Sequence, residues 1–349
     1  MPETKVTYLL GAGASANKVP IVSNISSKLQ GFLETLNDAQ KKFTDKTFQV
    51  PNLRGVNIEE IRKGFVLEIE DLINKCENHL SIDTYVRLLY LTNDLDKLEV
   101  VKFIFSEFLL FEQHINGVDK RYDGFFAAIL NRGPNNTLTL PHEINILSWN
   151  YDNQLEISYS KFIKSSDAEI INSDLQVFPL KEPYIFDPSK FCVMKLNGSA
   201  GGSIKQNQVF PFIFDFDGLR EGRTDSRLGE VIENILIRYH RLLNERRDRY
   251  RGSQGRLYPA IFYSWDDNEV YDKLRAQACE IVIDSKILVI IGYSFPTFNR
   301  KVDRLILEKM EKLEKIYLQT KKESIIDVSI RIRALLQRSI PIEPIEGIE

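Results

Sequence analysis

The chain is poor in the residues that build metal centres and disulfide frameworks: its 349 residues include three cysteines and four histidines. Cys76, Cys192 and Cys279 lie far apart with no CxxC spacing. That excludes a recognisable zinc ribbon, leaves no metal site to expect, and fits reduced thiols in a cytosolic setting. Cys192, inside the apolar run Phe191-Cys192-Val193-Met194, reads as core packing. No apolar run approaches the ~18 residues of a membrane span, and no charged-then-apolar leader is present. The expectation is a cytoplasmic protein with no membrane partner. Charge of one sign is lacking too, with 46 Lys and Arg against 49 Asp and Glu. Without a basic field, direct nucleic-acid binding is not expected. The densest cluster, Arg246 to Arg251, is interrupted by Asp248 and follows Glu245, as at a solvated helix end.

What is present is a set of short apolar runs, each followed by small or polar residues. Val6 to Leu10 precedes Gly11-Ala12-Gly13-Ala14-Ser15, and Ile144 to Ser148 precedes Trp149-Asn150-Tyr151-Asp152. Phe191 to Leu196, Ala260 to Tyr263, Lys286 to Tyr293 and Lys315 to Gln319 complete the candidate strands. Long helical patterns lie between them. This predicts an α/β, Rossmann-like doubly wound, mostly parallel sheet with its ligand at the carboxyl ends of the strands. Consecutive amphipathic helices from about 57 to 135, including Ile82–Leu91 and Val100–Phe111, break the alternation and predict a helical insertion in one domain spanning 1 to 340. Residues 341 to 349 read as a short tail, disordered or docking on a neighbour. The interval Asn197 to about Leu228, with Gly201-Gly202 and the aromatic stretch Val209 to Phe214, reads as a lid or as a strand anchoring a loop.

Glycine after the first strand suits a sharp turn at positive φ and a backbone that must approach a pyrophosphate closely. The helical pattern from about Ser23 would then aim its N–H groups at phosphate. No acid that would grip the ribose hydroxyls ends a second strand about twenty residues on, and Glu34 lies inside a helical pattern, which argues against an ordinary dehydrogenase. Asn150 and Asp152 follow a strand and so reach the crevice, or else form a turn capping the helix near Asn153. Lys195-Leu196-Asn197-Gly198-Ser199 and Ile291-Gly292-Tyr293-Ser294 end two further strands with glycine and a hydroxyl. His142 sits at the entering end of its strand, and His79, His114 and His240 fall in helical patterns, so all four read as ordinary side chains.

In order, GAGAS (Gly11 to Ser15), SWNYD (Ser148 to Asp152), KLNGS (Lys195 to Ser199) and GYSFP (Gly292 to Pro296) resemble the four signature segments of sirtuin-like domains, in the divergent bacterial branch found in antiphage defence. Ile82 to Tyr85 and Arg121 to Asp123 resemble that branch's helical insertion. The resemblance implies NAD as substrate. Gly11, Gly13, Ala14 and Ser15 would surround the pyrophosphate, Ser294 would lie near the adenosine half, and Asn150 and Asp152 near the nicotinamide ribose. Ala12, Gly198, Ser199 and Gly292 would complete the nucleotide set. Asn150, Asp152 and Asn197 would be catalytic, in an NAD-hydrolysing effector that releases nicotinamide and ADP-ribose to deplete NAD during infection. A homo-oligomer and a separate sensor, for instance a hexameric translocase ATPase, are implied as partners. One departure matters. Where the family usually has a histidine acting on the ribose, this chain has Asn197, which cannot carry a proton near neutral pH. Together with the missing cysteine quartet this disfavours deacylation, while hydrolysis by water suffers less. The alternative is a catalytically impaired NAD or ADP-ribose binding module or scaffold subunit.

Overall fold

The computed structural model describes residues 4–43, 46–49, 53–79, 81–134, 137–178, 186–205, 208–210, 225–248, 258–267 and 269–345. The strands are β1 (Val6–Leu10), β2 (Asn131–Arg132), β3 (Leu138–Thr139), β4 (Ile144–Ser148), β5 (Val177–Phe178), β6 (Cys192–Lys195), β7 (Gly198–Lys205), β8 (Gln208–Phe210), β9 (Tyr258–Ile261), β10 (Ile287–Ile291), β11 (Lys315–Gln319) and β12 (Ile342–Pro344). Seven of them form one sheet in the order β12-β11-β10-β1-β4-β6-β5, every pair parallel. β1 lies in its middle, flanked in register by β10 and β4. All four motif-bearing strand ends therefore meet along one edge of adjacent strands, as the doubly wound reading requires.

The helices are α1 (Ile25–Asp38), α2 (Gln40–Phe43), α3 (Ile58–Asn78), α4 (Ile82–Leu91), α5 (Leu95–Asn116), α6 (Lys120–Ile129), α7 (Gln154–Ile163), α8 (Ala168–Asp174), α9 (Asp225–Asp248), α10 (Glu269–Ile281), α11 (Arg300–Lys309) and α12 (Ile325–Leu335). A continuous apolar strand such as Ile287-Leu288-Val289-Ile290-Ile291 suits a sheet with helices on its faces. On one face, Leu9, Leu147, Leu288, Ile290 and Leu318 bury against Leu274 of α10, Ile306 of α11 and Ile332 of α12. On the other, Leu10, Ile146 and Val193 bury against Phe126 of α6, Tyr159 of α7 and Ile171 of α8. A third apolar core is helical: α1, α3, α4 and α5 enclose Phe32, Phe65, Val86 and Phe108. Asn57, Ser81 and Asp94 start α3, α4 and α5 with side-chain oxygens that accept the N–H of Glu60, Thr84 and Lys97.

Several expectations need correction. Ala260 to Tyr263 does not join the main sheet: β9 pairs antiparallel with β7, which also pairs with β8. The departure begins at Gly198, whose φ of +78° turns the chain out of line with β6. The predicted tail contributes β12, pairing with β11 as the sheet's last strand, because Ile342 packs against the apolar core of the α10–α12 face. The insertion is not contiguous in sequence either, since Ile232, Ile235, Leu236 and Tyr239 of α9 recur at helical spacing and pack into the core of α3 and α5. Phe212 to Phe214 and Arg249 to Arg251 lie outside the described residues.

Candidate active site

A cavity of about 690 Å³ lies at the carboxyl ends of β10, β1, β4 and β6. Its sheet-side wall contains Ala12, Asn150, Asp152, Asn197, Gly292 and Ser294, six of the residues expected from sequence. The first residue of α1, Ile25, borders it, although α1 begins well beyond the glycine turn and Ala12–Ser15 form a 3-10 turn instead.

The glycine turn is built for close approach, and the expected positive φ is not there. Gly11 is extended, at φ −118° and ψ −177°. A Cβ on Gly11 would stand 2.5 Å from the Cα of Tyr293, and one on Gly13 would stand 2.7 Å from the Cα of Gly292. The two loops thus touch backbone to backbone, secured by the Gly13 N–H donating to Gly292 O at 3.0 Å. Positive φ falls on Gly292 (+61°) and, with strain for a bulky residue, on Phe295 (+52°).

Asn150 ties the second motif to the first. Its Nδ2 donates to Gly11 O at 2.9 Å and to Ser15 Oγ at 3.4 Å. Ser15 Oγ in turn meets the Tyr122 hydroxyl of α6 at 2.8 Å. Arg121, paired with Asp119 at 2.6 Å, reaches Gly13 O at 3.4 Å. Ala14 faces the α6 side, against Tyr122 and Phe125. Gly11, Gly13, Ala14 and Ser15 therefore shape the turn from behind, and Ala12 is the member that reaches the cavity wall.

Asp152 is buried, and burial pushes its carboxyl above the usual range, against the pull of Lys195 and a hydrogen bond from Ser15. Its Oδ1 accepts the Gln154 N–H at 3.1 Å, and the residue lines the cavity. The Lys195 ammonium, itself fully buried, donates to Asp152 O and pairs with Glu156 at 3.1 Å. Asn197 Nδ2 donates to Trp149 O at 3.0 Å, and its buried Oδ1 has no hydrogen-bond partner among the described residues. Gly198 and Ser199 serve the strands around the cavity. Gly198 lies against Ala260 O with no room for a Cβ, and Ser199 Oγ donates to Asn153 Oδ1 at 2.6 Å.

Sequence reasoning missed several wall residues. Ser81, Asp83 and Thr84 at the start of α4 close the far side, with Tyr263 and Trp265 beside them, so the insertion is part of the cavity. Arg331 of α12, donating to Ser294 O at 2.8 Å, stands at the GYSFP end. Asp303 of α11 also escaped notice: one buried carboxylate accepts from Trp149 Nε1 at 3.1 Å and from the Tyr293 hydroxyl at 2.8 Å, joining SWNYD to GYSFP. Burial raises its pKa to about 7 against those two hydrogen bonds. The IDTY segment was the available signal for Asp83. Arg331 and Asp303 sit on amphipathic helices with nothing local to mark them.

No family model matches the chain, and no curated protein matches it.

Proposed function

We propose that the chain is an NAD+ glycohydrolase. The observation that supports this best is the Asn150 amide bonded to Gly11 O and Ser15 Oγ, which fastens the loop expected at the pyrophosphate to the loop expected at the nicotinamide ribose around one cavity. At about 690 Å³ the cavity is of the size that takes such a ligand. In the reaction the bond between nicotinamide nitrogen and the anomeric carbon breaks, the electron pair leaves with nicotinamide, and water adds to the cationic ribose and loses a proton. The chain supplies oriented dipoles for that step: the Asn150 Oδ1, which has no protein partner among the described residues, and the unpartnered Oδ1 of Asn197. Asp152 would stabilise positive charge as it develops on the ribose. Asn197 cannot take the proton, so water must pass it to solvent or to a neighbouring ionised carboxylate.

As part of the same proposal, and in line with the resemblance to antiphage sirtuin-like domains, the activity would belong to a cytoplasmic NAD-depleting effector that forms homo-oligomers and answers to a sensor such as a hexameric translocase ATPase. The second reading, an NAD or ADP-ribose binder, is favoured by the missing histidine alone. Nicotinamide release from NAD+ by the purified chain, and by any complex it assembles into, tests the proposal. Activity should fall about 100-fold in Asn150→Ala. Heat-shift stabilisation by NAD+ with no turnover in either form would replace the hydrolase with the binder.

A further inference from the structure

The cavity has an electrical polarity. Arg331 is the cation of its described lining, and it stands beside Ser294 and the glycine turn. Across from it, α4 contributes the carboxylate of Asp83. Asp152, the other acid of the wall, has Lys195 nearby and a backbone N–H on its oxygen. Asp83 has neither an ion pair nor a hydrogen bond to its side chain among the described residues. Lys102, whose ammonium lies over the Tyr263 ring, is paired with Asp266 at 2.6 Å.

Asp83 lies beside an aromatic wall that already meets two protein cations, Lys102 over the Tyr263 ring at 5.4 Å and Arg87 over Trp265 at 4.8 Å, so its own carboxylate is the group left for a ligand to answer. Tyr151, Tyr263 and Trp265 line the same region, with the Tyr263 and Trp265 rings stacked at 5.0 Å and 9°. Tyr263 is buried and its hydroxyl has no hydrogen-bond partner among the described residues, as is true of Asn197 Oδ1. Two orphaned buried polar atoms and an uncompensated carboxylate on one cavity wall are costly unless a ligand answers them. Placement in the first turn of α4 favours the ionised form of Asp83, and burial opposes it. A bound positive charge would remove that conflict.

Resting on the reading of an NAD+ site, we infer that Asp83 seats the positive charge of the substrate's pyridinium ring, making the helical insertion the element that distinguishes oxidised from reduced nicotinamide nucleotide. Asp83 is then a specificity residue. It acts through charge and leaves bond cleavage to the sheet-side loops. NADH has the same phosphates, riboses and carboxamide and lacks only the ring charge, so it is the matched probe.

The test is calorimetric binding of NAD+ and of NADH to the full chain, wild type against Asp83→Asn and Asp83→Glu, with nicotinamide release followed in parallel. Wild type should hold NAD+ at least about tenfold tighter than NADH, the size expected of one charge pair at a partly shielded site. Asp83→Asn should lose most of that preference by weakening NAD+ binding while NADH binding stays put, and Asp83→Glu should keep most of it. Equal binding of both nucleotides by wild type overturns the inference, as does an equal weakening of both in Asp83→Asn. If nicotinamide is still released in either case, the hydrolase reading stands and only the role of Asp83 is lost. Failure of wild type to bind either nucleotide overturns both. Should Asp83→Asn not fold, the wild-type ratio and Asp83→Glu decide the matter.

Discussion

At the scale of single residues, the site depends on side chains that are absent as much as on those present. Gly11→Ala would drive a methyl into the backbone of Tyr293, 2.5 Å away, where neither loop has a flexible side chain to yield. The expected result is a loss of about 1–3 kcal/mol of stability, read by denaturant titration, with nucleotide binding lost as well. Asp303 makes stability depend on pH in a direction unusual for a carboxylate. Its folded pKa, about 7, is above the unfolded value, so the folded state holds the extra proton between roughly pH 4 and 7. Stability is therefore fully present below that window and declines as pH rises through it, by an amount on the order of a few kcal/mol. Between pH 5 and 8 the wild type should lose stability relative to Asp303→Asn. Parallel pH profiles for the two would show that this carboxyl is not the source.

At the scale of elements, strand ends and one helix share the work of holding loops. β6 ends in Lys195, which reaches across to Asp152 O and Glu156 and so fixes the turn into α7. Replacing it with Met strands Glu156 without a partner ion in the interior, an expected cost of about 3–5 kcal/mol. Lys195→Met with Glu156→Leu should recover much of that, and a double-mutant cycle would measure the coupling. α6 clamps the other loop through Arg121 and Tyr122. Tyr122→Phe removes one buried hydroxyl contact with Ser15, so KM for NAD+ should rise more than kcat falls, in steady-state nicotinamide release. The central strands were legible because their apolar runs are short, continuous and bounded by glycine or polar residues. β9 has the same local signature as a sheet strand, and nothing local to it reports that Gly198 has already turned its partner away. β5 and β12 are too short to show a pattern above the loops around them.

For the whole molecule, what sequence could not convey is which helices share a core. α9 lies far along the chain from α3 and α5 yet packs against both, and that pairing is a long-range fact with no local trace. The candidate site was legible on its sheet side for the opposite reason: every motif there follows a strand, and parallel strands deliver their ends to one edge. Its far wall comes from another layer, so Asp83 and Trp265 were not placed. The carboxyl-terminal segment belongs to the fold as well. β12 shields β11 through pairs such as Ile316 with Ile342, and the pairing runs on past Pro344, since the Ile345 N–H donates to Leu318 O at 2.9 Å, while Pro344 itself offers no N–H to the outer edge of the sheet. Deleting 341–349 should lower Tm and produce concentration-dependent association by light scattering, as a bare strand edge seeks a new neighbour. A monodisperse truncated chain with unchanged Tm would show that edge to be dispensable.

The cavity runs along the seam between the sheet and the helical layer of α3, α4 and α5. The two layers are tied across it by α5, whose Gln113 Oε1 accepts the Asn153 N–H and whose Ser106 Oγ accepts the Gly201 N–H, each at 2.7 Å. Whatever grips the outer helices therefore has leverage over how tightly a ligand is enclosed, without ever touching the ligand itself.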